Sequence, residues 1–113
     1  MSRSSGSSSH AGRVPPWVSI QAVIKAGVIQ MTKYFAVHLA EAGIRVNCVS
    51  PGGVFNPQIP QGDDFVKNYA ARCPMGRMAD AEDMVGAVLY LSSKAAAYTN
   101  GQNIVVDGGF STW

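Results

Sequence analysis

Two short segments rich in β-branched and apolar residues constrain the fold most strongly. Residues 44–49 read IRVNCV and follow a long helical pattern directly, and Asn103–Val106 reads NIVV after the turn-forming residues YTNG. We predict two helices between these strands, over residues 63–73 and 80–93. Strands that alternate with helices are typical of a parallel α/β sheet, but a sheet of two strands has both edges open. The sequence therefore predicts an incomplete α/β domain.

The long helix predicted before the first strand is apolar on two sides. One stripe has residues three or four positions apart: Ile20, Ile24, Val28, Met31, Phe35 and Leu39. The opposite side carries mainly small residues: Ala22, Ala26, Ile29, Ala36 and Ala40. Gly43 supplies the left-handed residue that ends such a helix. A helix with two apolar sides is usually buried on both. We therefore predict that helix 20–42 mediates association with a second copy of this chain or with a related subunit.

The first 18 residues differ in composition from the rest of the chain. Residues 1–18 are rich in Ser, Gly and Pro and predict a flexible segment, so residues 19–113 carry the folded part. No apolar run approaches the roughly 20 residues that a membrane span needs, and the Ser-rich start lacks the hydrophobic stretch of a secretory signal. We therefore expect a cytoplasmic protein without a membrane partner.

Charge and cysteine content exclude several classes of site. The formal net charge of +2 comes from 9 basic and 7 acidic residues without a run of Lys or Arg, which argues against nucleic-acid binding. Cys48 and Cys73 lie far apart and lack a CxxC pair or a histidine at metal-binding spacing. We interpret them as reduced thiols and predict no metal site.

Five motifs occur in order along the chain: KAGV, GIRVNCVSPGGV, PMGRMADAEDM, VLYLSS and TNGQNIVVDGGF. Together they resemble the C-terminal half of the short-chain dehydrogenase/reductase family over about residues 19–110. The resemblance implies the C-terminal portion of a Rossmann-type doubly wound parallel sheet. It also implies NAD or NADP as cofactor, and hydride transfer between the nicotinamide and an alcohol or carbonyl. Members of this family are mostly dimers or tetramers, built in part through the long helix.

The family's chemistry depends on a Tyr and a Lys spaced as YxxxK, which fall here at Gln21 and Lys25. Residues four apart share one face of a helix, and an ammonium lowers the pKa of a tyrosine from about 10 by favouring the phenolate. The resemblance implies that Lys25 also binds the nicotinamide ribose. Gln21 can donate and accept hydrogen bonds but cannot exchange a proton near neutral pH. The usual proton carrier is therefore absent.

Two further matches to catalytic motifs are weaker. A second YxxxK runs from Tyr90 to Lys94 at the end of a predicted helix, outside the family's surroundings, and we interpret Tyr90 as a core aromatic. The sequence SSHAG resembles the family's serine motif and makes Ser9 a candidate catalytic residue. Its spacing to Gln21 is one residue short and no apolar strand precedes it, so a Ser/Gly linker remains the alternative.

The sequence SPGGVFN matches the family's nicotinamide loop. The resemblance implies that Pro51, Gly52, Gly53 and Val54 contact the cofactor, with Val54 at the position that meets the carboxamide. Asn56 stands where the family usually has a threonine. Gly52 and Gly53 permit close backbone approach, although a tight turn after the strand is the alternative reading. Arg45 and Asn47 are interpreted as structural residues.

The family's pyrophosphate-binding motif, GxxxGxG after a first strand, does not occur in this sequence. We therefore expect the chain by itself not to bind a dinucleotide tightly and to be inactive or nearly so. The alternatives are a non-enzymatic half-domain, or a truncated gene product, that associates through its long helix.

Overall fold

The computed structural model describes residues 16–58 and 61–112, with side chains from residue 20 onward. Helix α1 spans Pro16–Leu39, strand β1 spans Cys48–Pro51, helix α2 spans Asp63–Arg72, helix α3 spans Val85–Ser92 and strand β2 spans Asn103–Val106. Short 3-10 turns at Ala40–Ala42, Ala81–Met84, Lys94–Ala96 and Phe110–Thr112 connect or end these elements. The predicted order of helix, strand, helix, helix and strand is confirmed.

The two strands form a parallel sheet, as predicted. Cys48 pairs with Asn103 and Pro51 with Val106, so both strands end at the same edge. The second strand has the predicted bounds, but the prediction of a first strand over residues 44–49 was wrong, because pairing begins at Cys48. Residues 44–47 are held instead by polar side chains. The Val46 amide donates to Asn100 Oδ1, and Asn47 bonds to the backbone of Thr99 and Gln102.

Helix α1 begins at Pro16, four residues before the apolar stripe, because proline is favoured in the first turn of a helix. It ends as predicted: Gly43 has a left-handed conformation with φ 76° and donates its amide to Ala40 O. The side that packs on the described chain is the one with small residues. Thr32 and Ala36 are buried, and Asn100 Nδ2 donates to Ala36 O.

The apolar stripe of α1 is exposed in the part of the chain that the structure describes. Ile20 and Ile24 are each 60% exposed and Met31 is 51% exposed. Helix α3 shows the same feature, with Leu89 at 64%. Tyr90 is 42% exposed and its hydroxyl bonds to Thr99 Oγ1, so the interpretation of Tyr90 as a core aromatic was wrong. The helices present apolar faces that the described elements do not cover.

Polar contacts hold the segment that joins α3 to β2. The Arg45 guanidinium donates to Leu91 O at 3.0 Å, and also to Thr99 O and Ser93 O, near the carboxyl end of α3. The structural interpretation of Arg45 and Asn47 is confirmed. The predicted capping of the last helix is also confirmed, because Asp80 and Asp83 form a reciprocal capping box. Its first turn, Ala81–Met84, is 3-10 and α3 follows directly.

Both cysteines are free thiols, as predicted; Cys73 is buried and Cys48 is half-buried. The buried apolar residues of the described chain are small or few: Ala36, Cys73, Met78 and Ala96. None of the helices within the described ranges has the length and apolarity needed to cross a membrane.

Candidate functional site

The predicted nicotinamide loop begins where both strands end. Pro51 is the last residue of β1 and Val106 the last of β2, and the Gly52 amide donates to Val106 O at 2.9 Å. In open parallel sheets, ligands bind in the crevice outside the carboxyl ends of the strands. The structure therefore places Pro51, Gly52, Gly53 and Val54 at the edge where such sites occur.

Gly52 and Gly53 are needed for packing rather than for an unusual backbone conformation. Neither is among the glycines with positive φ. A Cβ at Gly52 would lie 2.8 Å from Asp107 Cβ, and one at Gly53 would lie 2.5 Å from Tyr69 Cζ. On this side of the loop, the glycines allow close approach of the chain's own Asp107 and Tyr69. The predicted approach of the loop backbone to a nicotinamide stays a prediction.

Tyr69 contacts the loop directly. Its hydroxyl accepts a hydrogen bond from the Gly53 amide at 2.5 Å. Its ring stacks on Phe110, with centroids 4.8 Å apart and planes 20° from parallel. Tyr69 lies in α2 and Phe110 follows β2, so this aromatic pair joins three segments at the carboxyl edge. The two consecutive glycines are the one local hint of this contact, because they leave space without indicating which residue fills it.

A short parallel bridge between Val54 and Ala79 holds the other side of the loop. Ala79 N donates to Gly53 O at 2.8 Å, and Phe55 N donates to Ala79 O at 2.7 Å. These bonds occupy the Gly53 carbonyl and the Phe55 amide. The Val54 amide has no acceptor among residues 16–58 and 61–112. This amide is the group that the resemblance assigns to the nicotinamide carboxamide.

Asn56 makes a local turn in this structure, because its Oδ1 accepts the Gln58 amide at 2.9 Å. Together with Val54 it lines an open cavity of about 590 Å³, whose other walls include Phe55 and Asp80. The side-chain oxygen of Asn56, Oδ1, is therefore already bonded to the backbone amide of Gln58. Its amide nitrogen is the part of the side chain left to act as a donor to a ligand.

A smaller cavity of about 240 Å³ adjoins the glycines on the side of Tyr69. Its lining is Gly52, Gly53, Tyr69, Met75, Arg77, Ala79, Asp83, Val106, Asp107 and Gly108. The charged residues in this wall are bonded to their neighbours. Arg77 pairs with Asp83 at 2.8 Å, and this hydrogen bond raises the pKa of Arg77 and lowers that of Asp83. The pair is largely exposed, so it contributes little to stability.

Asp107 orders the turn that carries Phe110. Its carboxylate accepts the Gly109 amide at 2.9 Å and the Ser111 amide at 3.1 Å. Hydrogen bonds from Ser111, and secondly from the Gly109 backbone, lower the pKa of Asp107 because they stabilise the charged form. The ionised carboxylate therefore supports the position of the ring on which Tyr69 stacks.

The helix residues predicted for catalysis lie apart from these contacts. Gln21 and Lys25 are four residues apart on α1, and both are exposed. Neither side chain has a hydrogen-bond or ion-pair partner in the described part of the chain. Ser9, the third catalytic candidate, lies outside the described residues. The structure thus brings together the loop residues but does not join Gln21 or Lys25 to them by a contact.

Comparison with protein families gives a match over nearly the whole chain. A family model described as Enoyl-(Acyl carrier protein) reductase matches residues 5–111. The D-arabinitol 2-dehydrogenase (ribulose-forming) of Scheffersomyces stipitis is 42% identical over 94 residues, which cover 79% of this chain and 34% of that protein. The NADH-dependent L-xylulose reductase of Ambrosiozyma monospora is 39% identical over 94 residues, covering 79% and 35%.

Solved structures give a similar result. A short chain dehydrogenase from Leptospira borgpetersenii with bound NAD+ is 49% identical, with TM-score 0.75, over 80% of this chain and 34% of that chain. A gluconate 5-dehydrogenase from Burkholderia cenocepacia, in complex with NADP and tartrate, is 29% identical, with TM-score 0.76, over 81% and 37%. These neighbours confirm the predicted α/β class, with a partial Rossmann-type sheet. The chain spans about a third of the length of the relatives it matches.

The Asp107 turn predicts a pH dependence. Because the pKa of Asp107 is lowered in the folded chain, its stabilising contribution is complete above the unfolded value of about 4 and is lost as the pH falls through the folded value. We expect the Gly109 and Ser111 amide resonances to titrate together with a midpoint below about 4. A two-dimensional 15N NMR titration measures this, and Asp107→Asn should remove the step. A midpoint at or above about 4 would contradict the assignment.

Proposed function

Because this chain belongs to the short-chain dehydrogenase/reductase family, we propose that it carries the nicotinamide-contacting part of an NAD(P)-dependent oxidoreductase site. The reaction is hydride transfer between the nicotinamide and an alcohol or carbonyl. The observation that carries the proposal is the Val54 amide. It lacks an acceptor in the described ranges, lies at the carboxyl edge of the sheet, and is flanked by amides that are already bonded.

The described residues fit a nicotinamide cofactor. The Val54 amide is a donor suited to the carboxamide oxygen, and the side-chain nitrogen of Asn56, which lines the same cavity, is a second donor. Lys25 would donate to the ribose hydroxyls. When bound, the nicotinamide supplies the hydride acceptor or donor, and the chain's residues supply orientation and hydrogen bonds.

Gln21 separates binding from proton transfer. An oxidised alcohol must lose its hydroxyl proton, and a glutamine amide cannot take it near neutral pH. Lys25 has no phenol beside it whose deprotonation it could assist. We therefore propose that this chain by itself is inactive, although its loop retains the geometry for nicotinamide.

For the substrate class we propose polyols and the corresponding keto sugars or sugar acids. The relatives are named for D-arabinitol and L-xylulose, and one structural neighbour for gluconate. These compounds share a secondary alcohol or ketone among neighbouring hydroxyls, and they are the first panel to assay.

A second function is favoured by the exposed apolar stripe of α1, a different observation. Five of its six residues are at least 41% exposed: Ile20, Ile24, Val28, Met31 and Phe35. A contiguous apolar face of this kind is typical of an interaction surface. We propose that the chain also acts as a half-domain that associates through α1 with a second copy or a related subunit.

The first prediction of this proposal concerns the loop. We expect oxidised nicotinamide mononucleotide, added at millimolar concentration to 15N-labelled chain, to shift the Val54 amide resonance saturably, because that amide is a free donor. Adenosine monophosphate is the matched ligand control, since it carries the phosphate and ribose without a carboxamide. No shift at Val54, or the same shift with adenosine monophosphate, would contradict the assignment of this loop to nicotinamide.

The second prediction concerns catalysis. The chain should give no turnover of D-arabinitol, L-xylulose or gluconate with NAD(H) or NADP(H) above a Lys25→Ala control, measured by absorbance of the reduced cofactor. Gln21→Tyr alone should also give none, because it restores the proton carrier but not a pyrophosphate-binding motif. Turnover by the unaltered chain above the Lys25→Ala rate would show that it is a working enzyme. Turnover by Gln21→Tyr would show that the absent proton carrier alone makes the chain inactive.

The third prediction concerns association. Light scattering should give a mass above the 11.9 kDa of one chain, and Ile24→Lys should lower it toward the monomer because it places a charge in the apolar stripe. Val37→Lys is the matched control: Val37 is 73% exposed and lies about 140° around the helix from Ile24. A monodisperse monomer for the unaltered chain would rule out this function.

A further inference from the structure

We infer that Tyr69 is a positioning residue for the nicotinamide loop, holding Gly53 so that the Val54 amide, which has no acceptor in the part of the chain that the structure describes, keeps a fixed direction. The inference rests on the proposed function, because it concerns the same loop. Nothing in the motifs of the sequence pointed to Tyr69.

The amides from Gly52 to Phe55 show how selective the arrangement is. Gly52 donates to Val106 O, Gly53 to Tyr69 Oη and Phe55 to Ala79 O. Val54 alone in this run has no acceptor within the described chain. Three bonded amides around one free amide define where that amide points, whereas a loop with several free amides would not.

Tyr69 is the one side chain among these acceptors, since Val106 and Ala79 contribute backbone carbonyls. The hydrogen bond that Tyr69 accepts comes from the amide of Gly53, which joins two glycines. Glycine has the greatest backbone freedom, so this is the part of the loop that most needs an external contact. The Gly53–Val54 peptide, which carries the Val54 amide, is held through Gly53 O by the Ala79 amide. The preceding Gly52–Gly53 peptide has its amide on Tyr69 Oη, and without that acceptor it could rotate and change the direction of the peptide that follows. Tyr69 thus restricts the backbone conformation of Gly52 and Gly53, which have no side chains of their own.

The position of Tyr69 is itself determined from two sides. Its backbone belongs to the last turn of α2, where Tyr69 O accepts the Cys73 amide at 3.1 Å. Its ring stacks on Phe110 at 4.8 Å and lies 6.3 Å from the ring of Phe65. A phenol held by a helix and by a stacked ring loses little further entropy when it accepts the Gly53 amide. The ring also occupies the space of a Gly53 side chain, so Gly53 and Tyr69 fit only as a pair.

The test measures the affinity of the chain for oxidised nicotinamide mononucleotide by the Val54 amide shift. Tyr69→Phe keeps the ring and removes the acceptor, and should weaken binding about threefold to tenfold, the effect expected for one hydrogen bond. In the free protein it should also shift the Gly53 and Val54 resonances while those of Gly101 and Val105 stay unchanged. Tyr98→Phe is the matched control, because Tyr98 is fully exposed and should leave the affinity unchanged.

The outcomes separate this inference from the proposed function. Binding to the unaltered chain with equal affinity for Tyr69→Phe would overturn the role of Tyr69 and leave the loop assignment standing. No response of Val54 in the unaltered chain would overturn both. If Tyr69→Phe does not fold, Phe110→Leu decides, since it removes the stacking partner and keeps the phenol. Weaker binding by that variant supports the inference, and unchanged binding overturns it.

Discussion

The parallel pairing of β1 with β2 is the interaction on which the rest of this structure depends. Four residues of each strand pair, from Cys48 with Asn103 to Pro51 with Val106. This register brings the two carboxyl ends together, and it is why Gly52 packs on Asp107. A shift of one residue in the register of β1 against β2 would move Gly52 away from Asp107, against which it packs. The loop geometry is thus a consequence of strand register rather than of the loop sequence alone.

So short a sheet is held in place largely by polar contacts. Arg45 donates to a carbonyl at the end of α3. Asn47 donates to the backbone of Thr99 before β2, and Asn100 accepts the backbone amide of Val46 before β1. Buried apolar side chains are few in the described ranges, whereas polar side chains that satisfy backbone groups are frequent at the start of the strands. Hydrogen bonds of this kind specify register, because their geometry tolerates little displacement. The exposed faces of α1 and α3 are the places where further burial would add stability.

Features that depend on neighbouring residues were predictable from the sequence. The capping box of Asp80 and Asp83, the left-handed Gly43 and the bounds of β2 all follow from local patterns. The start of β1 could not be predicted from local patterns. The hydrogen-bond partners of Val46 and Asn47, which hold the chain before the strand, lie more than 50 positions away. Tyr69 was missed for the same reason: its contact with Gly53 spans 16 positions and uses a glycine, which has no side chain to reveal a partner. Contacts between residues far apart in the sequence depend on the whole fold, so no single motif predicts them.

Gln21 and the loop illustrate why binding and catalysis have different dependence on sequence. The loop offers a backbone amide, and the position of that amide depends on the register of β1 and the contacts of Gly53 rather than on the side chains of the loop itself. Proton transfer requires one side chain with a suitable pKa at one position, and no backbone group can replace it. In the proposed function, Gln21 therefore leaves the chain without the proton carrier, while the geometry of residues 51–54 does not depend on residue 21. We therefore propose that the loop geometry and the proton carrier can be lost independently of each other.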